Sequence, residues 1–322
     1  MYILNKLSLK QLFAFSFVFI SLNLLAEPVL DEVVVSARKV GENVQDVPIG
    51  MSVFTSNDIS DAGIERPEDF IALTPNVVMA NTVNVGDTLV TIRGLTSTRD
   101  AESNFAFVVD GVLQTNPNAF NRELLDIAQI EVLKGPQGAL YGRNATSGAI
   151  LITTKTPSEE AESTAVVGMG INSSSKLQFV NSGNPGDNVY TRFSISTRKT
   201  DGEHTNLFSD KKNVDFFEDT TVRGRVLVDN DDSSWDFRVG VSEAKGGTIN
   251  FNAVFALPAF TGFGTPGADQ FFKDVNDHQF SYMFNVPPVN EQETSDMSLK
   301  YTEDLDNGRE FSAIFAYNQL EE

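Results

Sequence analysis

From residue 163 onward, apolar and polar side chains alternate with a period of two, which is the pattern of strands that present different surroundings to their two faces. Trp235, Phe237, Val239 and Val241 fall on one face, and Asp236, Arg238, Gly240 and Ser242 on the other. Phe311, Ala313, Phe315 and Tyr317 repeat the pattern, as do Met297, Leu299 and Tyr301 opposite Ser298, Lys300 and Thr302. Val222, Gly224, Val226 and Val228 oppose Arg223 and Arg225, and Thr191, Phe193 and Ile195 oppose Arg192 and Ser194. Ala165, Val167, Met169 and Ile171 begin the series, and Leu177 and Phe179 continue it. Alternation alone fits a soluble β-sandwich as well as a membrane barrel. Charged residues on one face of nearly every strand favour the barrel.

The stretch from Val47 to Pro157 has a different texture, with short apolar runs broken by Gly, Pro and Asn. It predicts a strand over Ile49–Thr55 and a short helix capped by Asn57 or Asp58 that ends near Gly63. A second helix starts at Pro67-Glu68-Asp69, with proline in the first turn and carboxylates at the positive end of the dipole, and stops at Pro75. Strands follow over Thr88–Arg93 and Phe105–Val109, with Asp110-Gly111 as the turn. A helical turn over Leu124–Ala128 precedes strands over Gln129–Lys134 and Gly148–Thr154. The expected fold is thus an α+β domain of about a hundred residues, followed by antiparallel transmembrane β-strands.

The first residues fit neither zone. Lys6 and Lys10 precede an apolar run from Leu12 to Leu25 that ends at Ala26, before Glu27. The run is shorter than the roughly 20 residues a spanning helix needs, and its phenylalanines point all round a helix. A basic start, a short apolar stretch and a small residue at the end read as a secretory signal peptide over residues 1–26. Leu24, at the position where a small residue is usual, leaves the cut site open.

Charge and composition then remove function classes. The net charge of −20 argues against nucleic acid, whose phosphates need a basic face. With no cysteine, thiolate chemistry and disulfides are absent. His204 and His278, the two histidines, lie far apart in sequence, which does not suggest a metal centre. The acidic run Asp229–Asp232 reads as a solvated turn rather than a calcium site.

Several segments resemble the TonB-dependent outer-membrane receptors. Asp31-Glu32-Val33-Val34-Val35-Ser36-Ala37 looks like a TonB box, and its β-branched residues favour an extended strand that can pair with a partner's edge. Thr74-Pro75-Asn76-Val77, Ile92-Arg93-Gly94 and Val109-Asp110-Gly111-Val112 match further family motifs. The most specific match is the run IEVLKGPQGALYGRNATSGAILI over residues 130–152. Its signature residues are Gly135, Pro136, Gly138, Tyr141, Gly142, Asn144 and Gly148. A phosphate-cradling loop is the competing reading of this glycine-rich run. It fails because Lys134 precedes the glycines and the Gly-Lys-Ser/Thr ending is absent.

The resemblance implies residues 27–46 as the TonB-contact segment, 47–157 as a plug domain and 158–322 as part of a β-barrel. It implies uptake of a scarce ligand, a ferric siderophore first and otherwise cobalamin, haem or a sugar, driven by the TonB–ExbB–ExbD complex from within outer-membrane lipid. No catalytic residue, cofactor or metal site follows from it. Arg93 and Arg143 are expected to lock the plug to glutamates of the barrel wall. Polar loops at 81–87 and 96–104, and the phenylalanine-rich segment Phe251–Phe272, are expected to face the ligand. Family barrels have about 22 strands, whereas the pattern here offers about seven of the usual ten-residue kind, so an incomplete barrel is expected. A secreted β-rich binding protein is the alternative from another class. If the signal peptide is read correctly, N-terminal sequencing of the exported protein finds it starting near Glu27; an exported chain that retains Met1 would contradict the assignment.

Overall fold

The structure is a computed structural model that describes residues 33–36, 39, 41–81, 86–98, 101–203, 205–206, 211–212, 215–247, 281–282, 289–305 and 308–322. The signal peptide, Asp31, Glu32, Ala37, both histidines, parts of the 81–87 and 96–104 loops and the segment Phe251–Phe272 lie outside these residues. No described helix is long and apolar enough to cross a membrane.

Short strands β1 (Val34–Val35) and β2 (Glu42–Asn43) come first. The α+β domain follows with β3 (Met51–Thr55), α1 (Ser56–Asp61), α2 (Pro67–Ala72), β4 (Val77–Asn81), β5 (Thr88–Ile92) and β6 (Leu95–Thr96). It continues with β7 (Phe105–Val109), β8 (Val112–Gln114), β9 (Ile127–Lys134), α3 (Gly138–Tyr141) and β10 (Gly148–Thr154). One sheet has the order β3-β9-β10-β7-β8 and a second the order β4-β5-β6. Within the first sheet β7 and β10 run parallel, and the other pairs are antiparallel.

The core lies between the two sheets and α2. Phe70, Val90, Ile92, Phe105, Phe107, Phe120, Ile130 and Ile150 are buried together. Phe120 is its hub, meeting Phe105 and Phe107 edge-on at 5.1 Å between ring centres, an arrangement that suits the ring quadrupoles. The cap of α1 is Thr55, two or three residues earlier than expected. Its hydroxyl accepts from the Asp58 N–H, while the Asp58 carboxylate accepts from the Thr55 N–H at 2.8 Å. These bonds from Thr55 hold the Asp58 carboxyl below its usual range. Asp110 and Gly111 both adopt positive φ, 50° and 83°, the geometry of a tight hairpin between β7 and β8.

The helical turn expected at Leu124–Ala128 is not formed. The Leu124 N–H donates to the Glu65 carbonyl, Asp126 takes a positive φ of 58°, and Ile127 already starts β9. Leu124-Leu125 supplies core residues for a bent segment, so tertiary partners override local helix preference. Strands β4 and β8 and helix α3 were not expected from the sequence pattern.

The second zone forms one antiparallel seven-stranded sheet. Its members are β11 (Glu162–Met169), β12 (Ser175–Gly186), β13 (Val189–Thr200), β16 (Phe217–Asn230), β17 (Ser233–Gly247), β19 (Val289–Leu305) and β20 (Arg309–Glu321), in that order. Between them, β14 (Thr205–Asn206), β15 (Lys211–Lys212) and β18 (Ser281–Tyr282) make a small separate sheet. At one end the connections Asp187-Asn188, Asp231-Asp232 and residues 306–308 are two or three residues long; at the other, residues 170–174 form a short turn and residues 201–216 and 248–288 are long. The two- and three-residue turns share an end with residues 155–161, where the first domain hands over to β11. Among the described residues the sheet is open, with β11 and β20 at its edges.

The alternation seen in the sequence is the alternation of faces. Trp235, Phe237, Val239 and Val241 are 39–50% exposed, while Asp236 between them is 6% exposed and turned toward the first domain. Trp235, Tyr301 and Phe311 cluster on the outer face beside the two- and three-residue turns, with Trp235 and Tyr301 ring centres 4.6 Å apart.

Gly148 is the tightest point of the first domain, since a Cβ there would lie 2.3 Å from the Leu133 carbonyl oxygen. Gly148→Ala is therefore expected to cost about 2 kcal/mol or more through forced displacement of β9. Gly138→Ala, where a Cβ meets nothing within 4 Å, should be near neutral. Thermal unfolding of the two variants checks the contrast.

Candidate functional site

The first domain lies against the inner face of the sheet, and the seam between them buries Glu123, Arg192 and Asp236. Four wall arginines reach it from consecutive strands. Arg192 on β13 clasps Asp126, with Nη2 donating to Oδ1 at 2.7 Å, and Ser194 donates to the same carboxylate at 2.7 Å. Arg192 also meets Glu162 of β11. Arg223 on β16 donates to the Leu125 carbonyl at 2.6 Å. Arg225 donates to the Lys155 carbonyl at 2.9 Å and to the Thr154 carbonyl at 3.2 Å. Arg238 on β17 donates to the Asp110 carbonyl at 3.0 Å.

These arginines are spaced by the strand period, so their guanidinium groups all point inward. Arg225 and Arg238 are cross-strand neighbours, a like-charge juxtaposition that is destabilising if left alone. Asp236 resolves it. It takes a two-point contact from Arg225, at 3.0 and 2.8 Å, and a further one from Arg238. Asp110 passes its contact with Arg238 on to the first domain's sheet, because its carboxylate accepts from the N–H and hydroxyl of Thr154 on β10, at 2.9 and 2.8 Å. Burial pushes the Asp126 carboxyl up, yet the hydrogen bonds from Arg192 and Ser194 outweigh it and leave the group below its usual range.

A second charged cluster lies toward the long-loop end. Lys176 of β12 pairs with Glu65 at 2.9 Å and Glu123 at 3.4 Å, and Arg198 of β13 pairs with Glu65 at 3.4 Å. Burial pushes the Glu123 carboxyl above its usual range despite Lys176 and Arg198. Arg122 lies 3.7 Å from Asp296. Burial and the neighbouring Arg223 charge push it down to about 10. The cavity left along the arginine row is about 50 Å³, room for a water or two and far below the several hundred Å³ of a small-molecule site. No group of three or more potential metal ligands occurs among the described residues.

The sequence-expected residues distribute differently. Arg143 pairs within the first domain, with Glu102 at 3.2 Å, and both are largely exposed. Arg93, at a positive φ of 51°, lays its guanidinium against the backbone of Gly50 and Gly135, within about 3 Å of where their side chains would start. The two arginines are not brought together. Gly135, Gly142 and Asn144 all have positive φ, Gly138 opens α3 and Tyr141 closes it, and Gly148 lets β10 approach β9. The signature residues thus shape a turn rather than a ligand pocket. Burial and the nearby Glu131 charge push the Tyr141 hydroxyl up to about 12. Of the N-terminal heptad, Val35 is buried, and the N–H and hydroxyl of Ser36 donate to Glu131.

The seam partners Glu65, Asp110, Glu123 and Asp126 were not singled out by sequence as contacts. The alternation marks Arg192, Arg223, Arg225 and Arg238 as inward, but nothing local tells which residues they meet.

The profile of the TonB-dependent Receptor Plug Domain matches residues 43–149. Residues 43–149 are thus a TonB-dependent receptor plug domain. The pesticin receptor of Yersinia pestis is 24% identical over 212 residues, 65% of this chain and 31% of that protein. The vitamin B12 transporter BtuB of Vibrio vulnificus is 27% identical over 209 residues, 63% of this chain and 33% of that protein. The chain thus spans about a third of the length of these curated relatives. Among solved structures, the ferric yersiniabactin uptake receptor FyuA of Yersinia pestis superposes with a TM-score of 0.70 at 19% identity. That match covers 84% of this chain and 41% of that one, and it includes the wall strands as well as the plug. The first domain is accordingly the plug, the seven-stranded sheet is barrel wall with its apolar face outward, and the setting is the outer membrane.

Arg192→Ala would leave Asp126 buried without its main partner, and breaking a buried pair costs about 3–5 kcal/mol. The expected result is a markedly lower melting temperature of the assembled receptor, partly restored by adding Asp126→Asn. Because the folded Asp126 carboxyl lies below its unfolded range, the pair contributes fully above about pH 4. Its contribution is lost as the pH falls through the lower, folded value, so the mutant penalty should shrink in acid.

Proposed function

We propose that the chain belongs to a receptor that imports a scarce ligand across the outer membrane through a plug-gated barrel, with a ferric siderophore as the ligand. One observation carries the reading: a plug is seated by charge pairing on a wall whose other face is apolar, with a cavity of about 50 Å³ along the arginine row and one of about 280 Å³ between Asn116–Arg122 of the plug and Thr294–Asp296 of the wall. A ligand-sized solute passes such a seam only if the plug rearranges, so transport needs energy delivered to the plug. The two- and three-residue turns at one end and the long connections 201–216 and 248–288 at the other fit this orientation, with short turns toward the periplasm and long loops outside. Trp235, Tyr301 and Phe311 would then lie at the periplasmic lipid interface.

The N-terminal heptad Asp31–Ala37 is the segment for the periplasmic partner, TonB with ExbB and ExbD. An extended strand offers its backbone for edge pairing. Arg93 and Arg143 would contact wall carboxylates beyond the described strands, complementing the arginine row that works in the opposite sense. The signature glycines, with Pro136, Tyr141 and Asn144, keep the plug turn compact. Binding and passage involve no covalent step, so no enzyme chemistry is assigned.

The siderophore reading is supported by what similar proteins are named for: ferric yersiniabactin uptake in FyuA and catecholate siderophores in Fiu of Escherichia coli. The likeness to BtuB favours cobalamin as a second reading. Competition between labelled ferric siderophores and labelled cobalamin for cells expressing the receptor separates them. Val34→Pro removes a backbone donor from the pairing strand and should abolish energised uptake while sparing ligand binding at the surface. Normal uptake in that variant would overturn the partner-strand assignment.

A further inference from the structure

The plug strand β9, flanked by β3 and β10, carries a charged residue where an apolar one is expected. Ile130 and Val132 face the aromatic core, while Gln129, Glu131 and Leu133 face the other side of the sheet. Glu131 is paired with Val53 of β3 and Leu151 of β10, and only 2% of it is exposed. A carboxylate at such a position is tolerated only if hydrogen bonds replace its water. Three of them come from one residue. The Ser36 N–H lies 3.0 and 3.2 Å from the two Glu131 oxygens, and the Ser36 hydroxyl donates at 2.9 Å. Gln129 adds a bond at 3.2 Å.

The chain around Ser36 is arranged to make this contact. Val35 is 1% exposed. The Ser36 carbonyl accepts from the Lys39 N–H at 2.8 Å, closing a turn in which Lys39 adopts a positive φ of 62°. The Lys39 ammonium then lies 5.8 Å from the centre of the Tyr141 ring. Residues 95 positions apart in sequence are thus tied by charge-assisted bonds at the end of the heptad assigned to the partner.

We infer that Glu131 is the positioning residue that docks the partner-contact segment on the plug, by holding the Ser36 backbone N–H and hydroxyl until that segment is drawn away. The inference rests on the reading of Asp31–Ala37 as the partner strand. It adds that the strand's inner boundary is set by a buried carboxylate of the plug signature. Pulling on the segment breaks the Ser36 bonds to β9, an interior strand of the plug sheet, so force reaches β9 first.

The chain has no cysteine, so a single introduced thiol reports opening at one place. Val35→Cys is placed in the full chain, in outer membranes and without energisation, and its labelling by a small maleimide is timed. Because hydrogen bonds to a charged group are the stronger kind, Glu131→Gln should raise the labelling rate about tenfold and Glu131→Leu about a hundredfold. Ser36→Ala, which keeps the backbone donor, should give a smaller rise than Ser36→Pro. Ile150→Cys, buried in the aromatic core on the other face of the sheet, serves as the fold control and should stay protected throughout. An unchanged rate at position 35 in Glu131→Leu overturns the inference. A parallel rise at position 150 overturns it too, because Glu131 would then be supporting the plug as a whole. The labelling needs no partner, so its outcome is separate from the uptake result with Val34→Pro.

Discussion

A buried charge has to meet an opposite charge or a hydrogen-bonding group, and this requirement fixes how the two halves of the chain fit together. Arg192, Arg223, Arg225 and Arg238 stand on the inner face of the wall and find their partners on the plug, at Leu125-Asp126, Thr154-Lys155 and Asp110. Without the plug these guanidinium groups would line an empty wall, and without the wall Asp126 would lose its charged partner. The opposite face of the same strands carries the apolar side chains that lipid requires. One period-two pattern thus serves two media, and the plug supplies one of them.

The polarity of the seam bears on mechanism. All four arginines donate to backbone carbonyls of the plug, at residues 125, 154–155, 110 and 156. Contacts of this kind fix the course of the chain more than the identity of a side chain. They concentrate on the C-terminal half of the plug, where β9 begins, where β10 ends and where the β7–β8 hairpin turns. The segment leading into the plug is held by a different device, the Ser36 bonds to Glu131 on β9. The domain therefore has one part fastened to the wall and one part fastened to its own leading segment.

Much of this order could be read in the sequence, and what could not has a physical reason. The wall strands were legible because a two-faced strand must alternate, and Trp235 to Ser242 alternate without exception. Gly148 and Asp110-Gly111 were legible because few residues accept a close approach or a positive φ. The cap at Thr55 was misplaced by two or three residues because Asn57 and Asp58 have similar local merits, and only the reciprocal bond with Asp58 decides it. Leu124–Ala128 was misjudged as helical because its conformation is set by Glu65 and the core, well outside any local window. Strands β4 and β8 are short and gain their pairing only from β5 and β7. The seam escaped for the same reason, since each arginine was identifiable as inward-facing but its partner lies between 66 and 128 residues away.

The central claim is that the plug sits against these wall strands in this register. Asp126 and Ser194 test it directly, because both side chains are short and they touch across the seam at 2.7 Å. With Cys introduced at both positions and a protease site placed between Pro157 and Ala161, mild oxidation in outer membranes should join the two cleavage fragments, and reduction should part them. Fragments that separate without reduction, while Cys introduced at the cross-strand wall positions Ser194 and Arg223 does link, would contradict the account.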